Sequence, residues 1–146
     1  MTALTDPLAE GAVQAVLEAG ELLADPAAVR SIRAKSETDF VTNVDLAVQE
    51  FLREHLAALA PDVQFMAEEQ DNSALDLTRP CWILDPVDGT TNLIHQFQHS
   101  AISLALAEGG QIVFGVVYNP YTEECFTARR GGGAFRNGVS IQVSAV

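Results

Sequence analysis

From Leu8 onward, apolar residues return every third or fourth position: Leu8, Ala12, Ala15, Val16, Ala19, Leu22 and Leu23, until Asp25-Pro26 stops the run. That spacing predicts an amphipathic helix. Asp6-Pro7 reads as its start, with Asp6 as N-cap and Pro7 at the first helical position, where a missing N–H costs nothing. Val29 to Thr42 loses the period and reads as a short irregular hairpin carrying Arg30, Arg33, Lys35 and Asp39. A second stripe of Val44, Ala47, Val48, Phe51, Leu52, Leu56 and Leu59 predicts a helix from about Thr42-Asn43 to Ala60, ended by Pro61.

The pattern then changes. Gln64-Phe65-Met66 and Cys81-Trp82-Ile83-Leu84 read as two short buried strands, separated by a polar loop through Asp71, Asn72 and Ser73. Ser100–Ala107 and Gln111–Tyr118 are β-rich runs on either side of Glu108-Gly109-Gly110, which is hairpin turn chemistry. A strand at Glu124–Ala128, a Gly131-Gly132-Gly133 turn and a last pair around Ala134-Phe135 and Val139–Val143 complete the chain. Two helices followed by a run of strands predict an α+β domain, with the helices packed on a largely antiparallel sheet.

Composition narrows the possibilities. The chain has 146 residues, 48% hydrophobic and 19% charged, which suits a single domain with a real core and argues against disorder. Twenty acids against eight basic residues give a net charge of −12, which excludes nucleic-acid binding carried by electrostatics. Cys81 and Cys125 form no CxxC pair and read as buried free thiols. No stretch reads as a signal peptide or approaches the length of a membrane span, so a cytoplasmic protein is the expectation.

The candidate chemistry lies in Trp82-Ile83-Leu84-Asp85-Pro86-Val87-Asp88-Gly89-Thr90-Thr91-Asn92. An apolar strand gives way to Asp85 and Asp88, and Pro86 and Gly89 shape the turn between and after them. Clustered carboxylate oxygens suit a hard divalent cation. The N–H groups of Gly89, Thr90 and Thr91, if they open a helical turn, offer an anion cradle beside it. Met66-Ala67-Glu68-Glu69 leaves a neighbouring strand with another carboxylate. Each piece has a plainer reading. Asp-Pro-x-Asp-Gly is also a turn, Ala-Glu-Glu a solvated loop, the threonines helix caps, and Asp45 a first-turn helix acid favoured by the dipole. The pattern is no EF-hand. His95 and His99 lack the glutamate of a zincin pair, His55 reads as a surface residue, and the triple glycine has no following lysine and reads as a turn.

Together these residues resemble a known family. Ile83 to Asn92 is similar to the central motif of the inositol monophosphatases, Glu68-Glu69 to its acidic partner, and Asp39 to Asp45 to its early motif. Phe114–Tyr118 and Gly133–Gly138 resemble its later sheet. The resemblance implies the N-terminal half of the layered αβαβα sugar-phosphatase fold and Mg²⁺-dependent hydrolysis of a phosphate monoester, such as inositol 1-phosphate or a related polyol or sugar phosphate. It implies Glu68, Asp85, the Val87 carbonyl and Asp88 as metal ligands. Thr90 with Glu68 would activate water, and Asp45 would hydrogen-bond Thr90. Asp88, Gly89, Thr90 and Thr91 would meet the substrate. In the two-metal logic, one ion makes the nucleophile and the other stabilises the leaving oxygen.

Two departures qualify the match. Ala67 stands where the family usually has Gly, and no Trp-Asp-x-Ala motif, which in the family brings a further metal-binding aspartate, occurs before Val146. The expectation is a single domain over residues 1–146 without the C-terminal domain, poorly active alone and prone to homo-oligomerise through a sheet face left uncovered. The alternative is a non-catalytic cation-binding or protein-interaction module.

Overall fold

The computed structural model describes residues 3–24, 43–68, 70–88 and 100–145. Two helices, α1 (Asp6–Ala24) and α2 (Asn43–Leu59), pack on one face of a seven-stranded sheet. Its strands are β1 (Gln64–Ala67), β2 (Cys81–Asp88), β3 (Ala101–Glu108), β4 (Gln111–Asn119), β5 (Glu124–Arg129), β6 (Gly133–Arg136) and β7 (Val139–Ile141), and their order in the sheet is their order in the chain. The pair β1–β2 is parallel and every other pair antiparallel. The predicted hairpin of residues 29–42 lies outside the described residues.

The cap of α1 is Thr5 rather than Asp6. Thr5 Oγ1 accepts the Leu8 N–H at 3.2 Å and its carbonyl accepts from Ala9 at 2.9 Å. Asp6 is drawn instead to the Arg129 guanidinium on β5. Leu8, Ala12, Ala15, Val16, Ala19 and Leu23 are buried as the spacing requires, while Leu22 is only half-buried. On α2 the buried face is Val44, Asp45, Val48, Gln49, Leu52 and Leu56. Ala47 is exposed, and Leu59 is 43% exposed because it lies at the end of the helix, over Gly11. There a Cβ would come within 2.8 Å of Leu59 Cδ2.

Strand alternation sorts the sheet into two faces. Phe65, Trp82, Leu106 and Phe114 share one row, and Ala67, Leu84, Leu104 and Val116 the next; both face the helices and make the core. On the far face a row of Met66, Ile83, Ala105, Gly115, Ala128, Ala134 and Ile141 crosses all seven strands. Val117, Phe126, Val139 and Ile141 are exposed there. Two-residue loops join β3 to β4 and β6 to β7. Gly109 and Gly110 have φ of 57° and 79°, and Asn137 and Gly138 have 49° and 81°, the left-handed geometry that type I′ hairpin turns demand.

Three strand expectations need correcting. β1 is half-buried rather than buried, since among the described residues β2 is its sole strand neighbour. β2 runs four residues beyond Leu84, through both aspartates to Asp88. β7 ends at Ile141 rather than Val143, which is 96% exposed.

Candidate active site

In a parallel pair both carboxyl ends point the same way, so the residues that follow the last matched pair leave the sheet side by side. The last match of β1 with β2 is Ala67 with Leu84, and the next residues are Glu68 and Asp85. Neighbouring strands lie about 4.8 Å apart, so two carboxylates start from adjacent backbone positions. Glu68 is exposed and Asp85 half-buried.

β2 continues through Pro86 and Val87, both buried, to Asp88. Asp85 faces Ser103 and Asp88 faces Ala101. Three steps along β2 (85 to 88) thus match two along β3 (103 to 101), which is a bulge. Pro86 sits inside it, where an absent N–H breaks no regular ladder bond. The sequence suggested a strand that stops before its acids; the structure places the acids within an irregular strand end.

Asp45 lies in the first turn of α2 and is 5% exposed. The helix N-terminus favours a carboxylate there, and its burial makes it more than a solvated helix acid. α2 lies against β2, on the face opposite the Asp85–Ser103 row.

Two residues without a motif to mark them in the sequence, Asn72 and Gln70, hold this strand end in place. Asn72 Nδ2 donates to the Ala67 carbonyl at 2.9 Å, and its Oδ1 accepts from the Ala67 N–H at 3.4 Å. The Asn72 amide therefore pairs with Ala67 as a neighbouring strand would. Gln70 Nε2 donates to the Phe65 carbonyl at 2.7 Å and to Asn72 Oδ1 at 2.9 Å. Further back, Gln64 exchanges two bonds with the Asp76 backbone, at 2.7 and 2.9 Å. The loop after Glu68 thereby covers the free edge of β1. Polar residues in a loop were the visible signal; which backbone groups they would meet was not.

Two acids keep that loop turned. Asp71 accepts the Ser73 N–H at 2.9 Å, and this bond, foremost, holds its carboxyl below the usual range. Asp76 is lowered by the Thr78 hydroxyl at 2.6 Å and then by the Thr78 N–H at 3.0 Å. At the opposite end of β2, burial pushes the pKa of the Cys81 thiol up.

Gly89, Thr90, Thr91, Glu69, Asn92, Asp39, His95 and His99 lie outside the described residues, as does the side chain of Asp88. Among the described residues, no three His, Cys, Asp or Glu side chains make a metal cluster. Among the described residues, the groups at this end of the sheet that could hold a cation are the Glu68 and Asp85 carboxylates and main-chain oxygens of the bulge, oxygen donors of the kind that suit Mg²⁺ or Ca²⁺ rather than a soft metal. The plainer readings of other motifs hold. His55 is exposed, stacks on Phe51 at 3.9 Å and donates from Nδ1 to the Phe51 carbonyl at 2.8 Å. Gly131 to Gly133 turns from β5 to β6, with Gly132 N–H donating to Arg129 O at 2.9 Å. Cys81 and Cys125 are free thiols, the first buried and the second half-buried. No described helix is long and apolar enough to cross a membrane.

Comparison with known proteins gives a consistent picture. The family model described as the inositol monophosphatase family matches residues 4–146. An inositol-1-monophosphatase of Rhizobium meliloti is 42% identical over 136 residues, which is 91% of this chain and 51% of that protein. The crystal structure of the extragenic suppressor protein suhB from Bartonella henselae superimposes with a TM-score of 0.85 at 36% identity, covering 94% of this chain and 54% of the other. An IMPase/NADP phosphatase complexed with NADP and Ca²⁺ also gives a TM-score of 0.85, at 29% identity and 56% of its length. The chain spans about half the length of the relatives it matches.

Proposed function

The chain belongs to the inositol monophosphatase family, and from that premise we propose that it carries the first half of a metal-dependent phosphate monoester hydrolase site. The observation that supports this most is the parallel β1–β2 pair, which brings Glu68 and Asp85 to one level at adjacent strand ends. In this reading Glu68, Asp85, Asp88 and the Val87 carbonyl hold Mg²⁺, an oxygen set of the kind hard cations take. An ion held there would supply a water acidified toward hydroxide and would neutralise charge on the phosphate. The Thr90 hydroxyl orients that water, the Glu68 carboxylate takes its proton, and Asp45, buried at the start of α2, accepts a hydrogen bond from Thr90. The Gly89 and Thr90 N–H groups hold phosphate oxygens, with Asp88 and Thr91 beside the substrate. The substrate class is a small polyol or sugar phosphate such as inositol 1-phosphate. A cytoplasmic enzyme of this kind needs no nucleic-acid or membrane partner.

The 146 residues alone supply one wall of this site. Their Mg²⁺-dependent release of phosphate from inositol 1-phosphate is expected to be a trace, and Tb³⁺ bound at the site is expected to be displaced by Mg²⁺ and lost in Asp85→Asn. Strong turnover by the purified chain contradicts the half-site reading; Tb³⁺ binding indifferent to Asp85→Asn contradicts the metal reading. The uncovered far face, with Val117, Phe126 and Val139 exposed, supports self-association into a homo-oligomer. Sedimentation at micromolar concentration is expected to find a species larger than the monomer, and a clean monomer contradicts it.

A further inference from the structure

On the helix side of the sheet, the two described helices cannot cover seven strands. Seven strands at about 4.8 Å spacing span about 30 Å, and two packed helices of about 10 Å each cover about 20 Å. α2 lies against β2 and α1 against β3 and β4, so β5 to β7 carry no helix of their own among the described residues. The uncovered strip is about one helix wide. It forms an open cleft of about 860 Å³ between the flank of α1 and the β5–β6 hairpin.

The walls of the cleft are apolar and its rim acidic. α1 presents a second stripe here, Val13 and Leu17, separate from its core stripe and half-buried. Phe114 and Tyr118 form the floor and Thr127 and Phe135 the facing wall. Glu10 and Glu123 line the cleft, and an adjoining cleft of about 350 Å³ adds Glu18 and Glu21. The negative field reaches the floor: burial first, then Glu123, Cys125 and Glu21, push the Tyr118 hydroxyl's pKa up. Among the described residues, the cation that lines the cleft is Arg129, and it is paired with Asp6. Elsewhere Arg53 pairs with Glu50 and Arg136 with Glu124. A second copy of a chain at −12 brings mainly more acid to this rim.

We propose that the α1–β5/β6 cleft is a docking groove for an amphipathic helix of another protein, with leucine-type residues on its inner face and Lys or Arg along its flanks. The apolar stripe of Val13 and Leu17 takes the inner face, as helix-in-groove recognition requires. The carboxylates of Glu10, Glu21 and Glu123 take the basic flanks and reject acidic helices.

The test is fluorescence anisotropy with a labelled helical peptide of about 18 residues, leucines at helical spacing and lysines on both flanks. Its partner is the same peptide with glutamate in place of lysine. Binding of the basic peptide alone is expected. Glu21→Lys with Glu123→Lys is expected to weaken it about tenfold or more. Glu54→Lys with Asp62→Lys, the same change in charge at exposed positions away from the cleft, is expected to change it less than about twofold. Leu17→Lys removes binding through the apolar wall, and circular dichroism of each variant reports that it is folded. Equal weakening by the two charge pairs means diffuse attraction to an acidic protein and overturns the proposal, as does failure of the basic peptide to bind. Self-association that Leu17→Lys abolishes assigns the groove to a second copy and overturns it equally.

Discussion

The two ends of the sheet are built on different principles. From β3 to β7 the chain is a meander: each strand returns beside the last through a short loop, and neighbouring strands run in opposite directions. Strand ends in such a meander alternate between top and bottom, so carboxylates that follow successive strands point to opposite edges. β1 and β2 are parallel, and residues 68–80 are needed to return the chain to the same edge. That return brings the ends of both strands to one place. The meander supplies cohesion, and the parallel pair sets Glu68 and Asp85 at adjacent backbone positions. The second comes at a structural cost: a half-buried edge strand whose backbone must be satisfied by loop side chains.

This contrast sets the scale of expected effects. Leu104 is 1% exposed and lies between Leu84 and Val116 in the helix-facing row. Leu104→Ala is expected to lower global stability by about 2–5 kcal/mol, measured by urea unfolding. A loss under about 1 kcal/mol would mean that the meander is not the stabilising half. Asn72→Ala should behave differently. It leaves the Ala67 N–H and carbonyl without their side-chain partner, at a cost of about 1 kcal/mol on an edge open to water. Amide exchange should rise at Ala67 and its neighbours while β4 and β5 remain protected; a uniform rise in exchange would erase the distinction between the two regions.

The smallest effect is one of pH. Asp71 and Asp76 have folded-state pKa values below the ordinary 3.8 because they accept bonds from Ser73 and Thr78. A depressed folded value means that the contribution is present above the unfolded pKa and fades as pH falls through the folded one. Both side chains are solvent-exposed, so the effect is local. The amide shifts of Ser73 and Thr78 should titrate with midpoints below 3.8, and midpoints at or above that value would remove these acids from the account of how the loop stays turned.

Legibility in the sequence follows the same division. The meander could be read because its turns are chemical: Gly109-Gly110 closes a hairpin wherever it occurs between β-rich runs. The helices could be read by period, with errors at their ends. Thr5 and Asp6 can both cap α1, and the choice is made by Arg129, which removes Asp6. Ala47 satisfied the period of α2 yet faces solvent, because the buried face is shifted toward Asp45 and Gln49. Of the candidate site, the acids could be named from their motif. Their meeting could not be derived from local pattern, because strand direction is decided by the path of residues 68–80. Asn72 and Gln70 were illegible for the same reason, since an amide in a polar loop acquires meaning only from the strand edge it meets.

The central claim is that the parallel pair gathers the carboxylates that hold a cation. Paramagnetic broadening by substoichiometric Mn²⁺ tests it most directly, because every backbone amide reports its nearness to the ion. Broadening is expected to begin at Ala67, Glu68 and the Asp85–Asp88 bulge while β5 to β7 stay sharp, and Asp85→Asn is expected to weaken the effect about tenfold to a hundredfold. Broadening spread evenly over the acidic surface, or centred elsewhere and unchanged by Asp85→Asn, would contradict it.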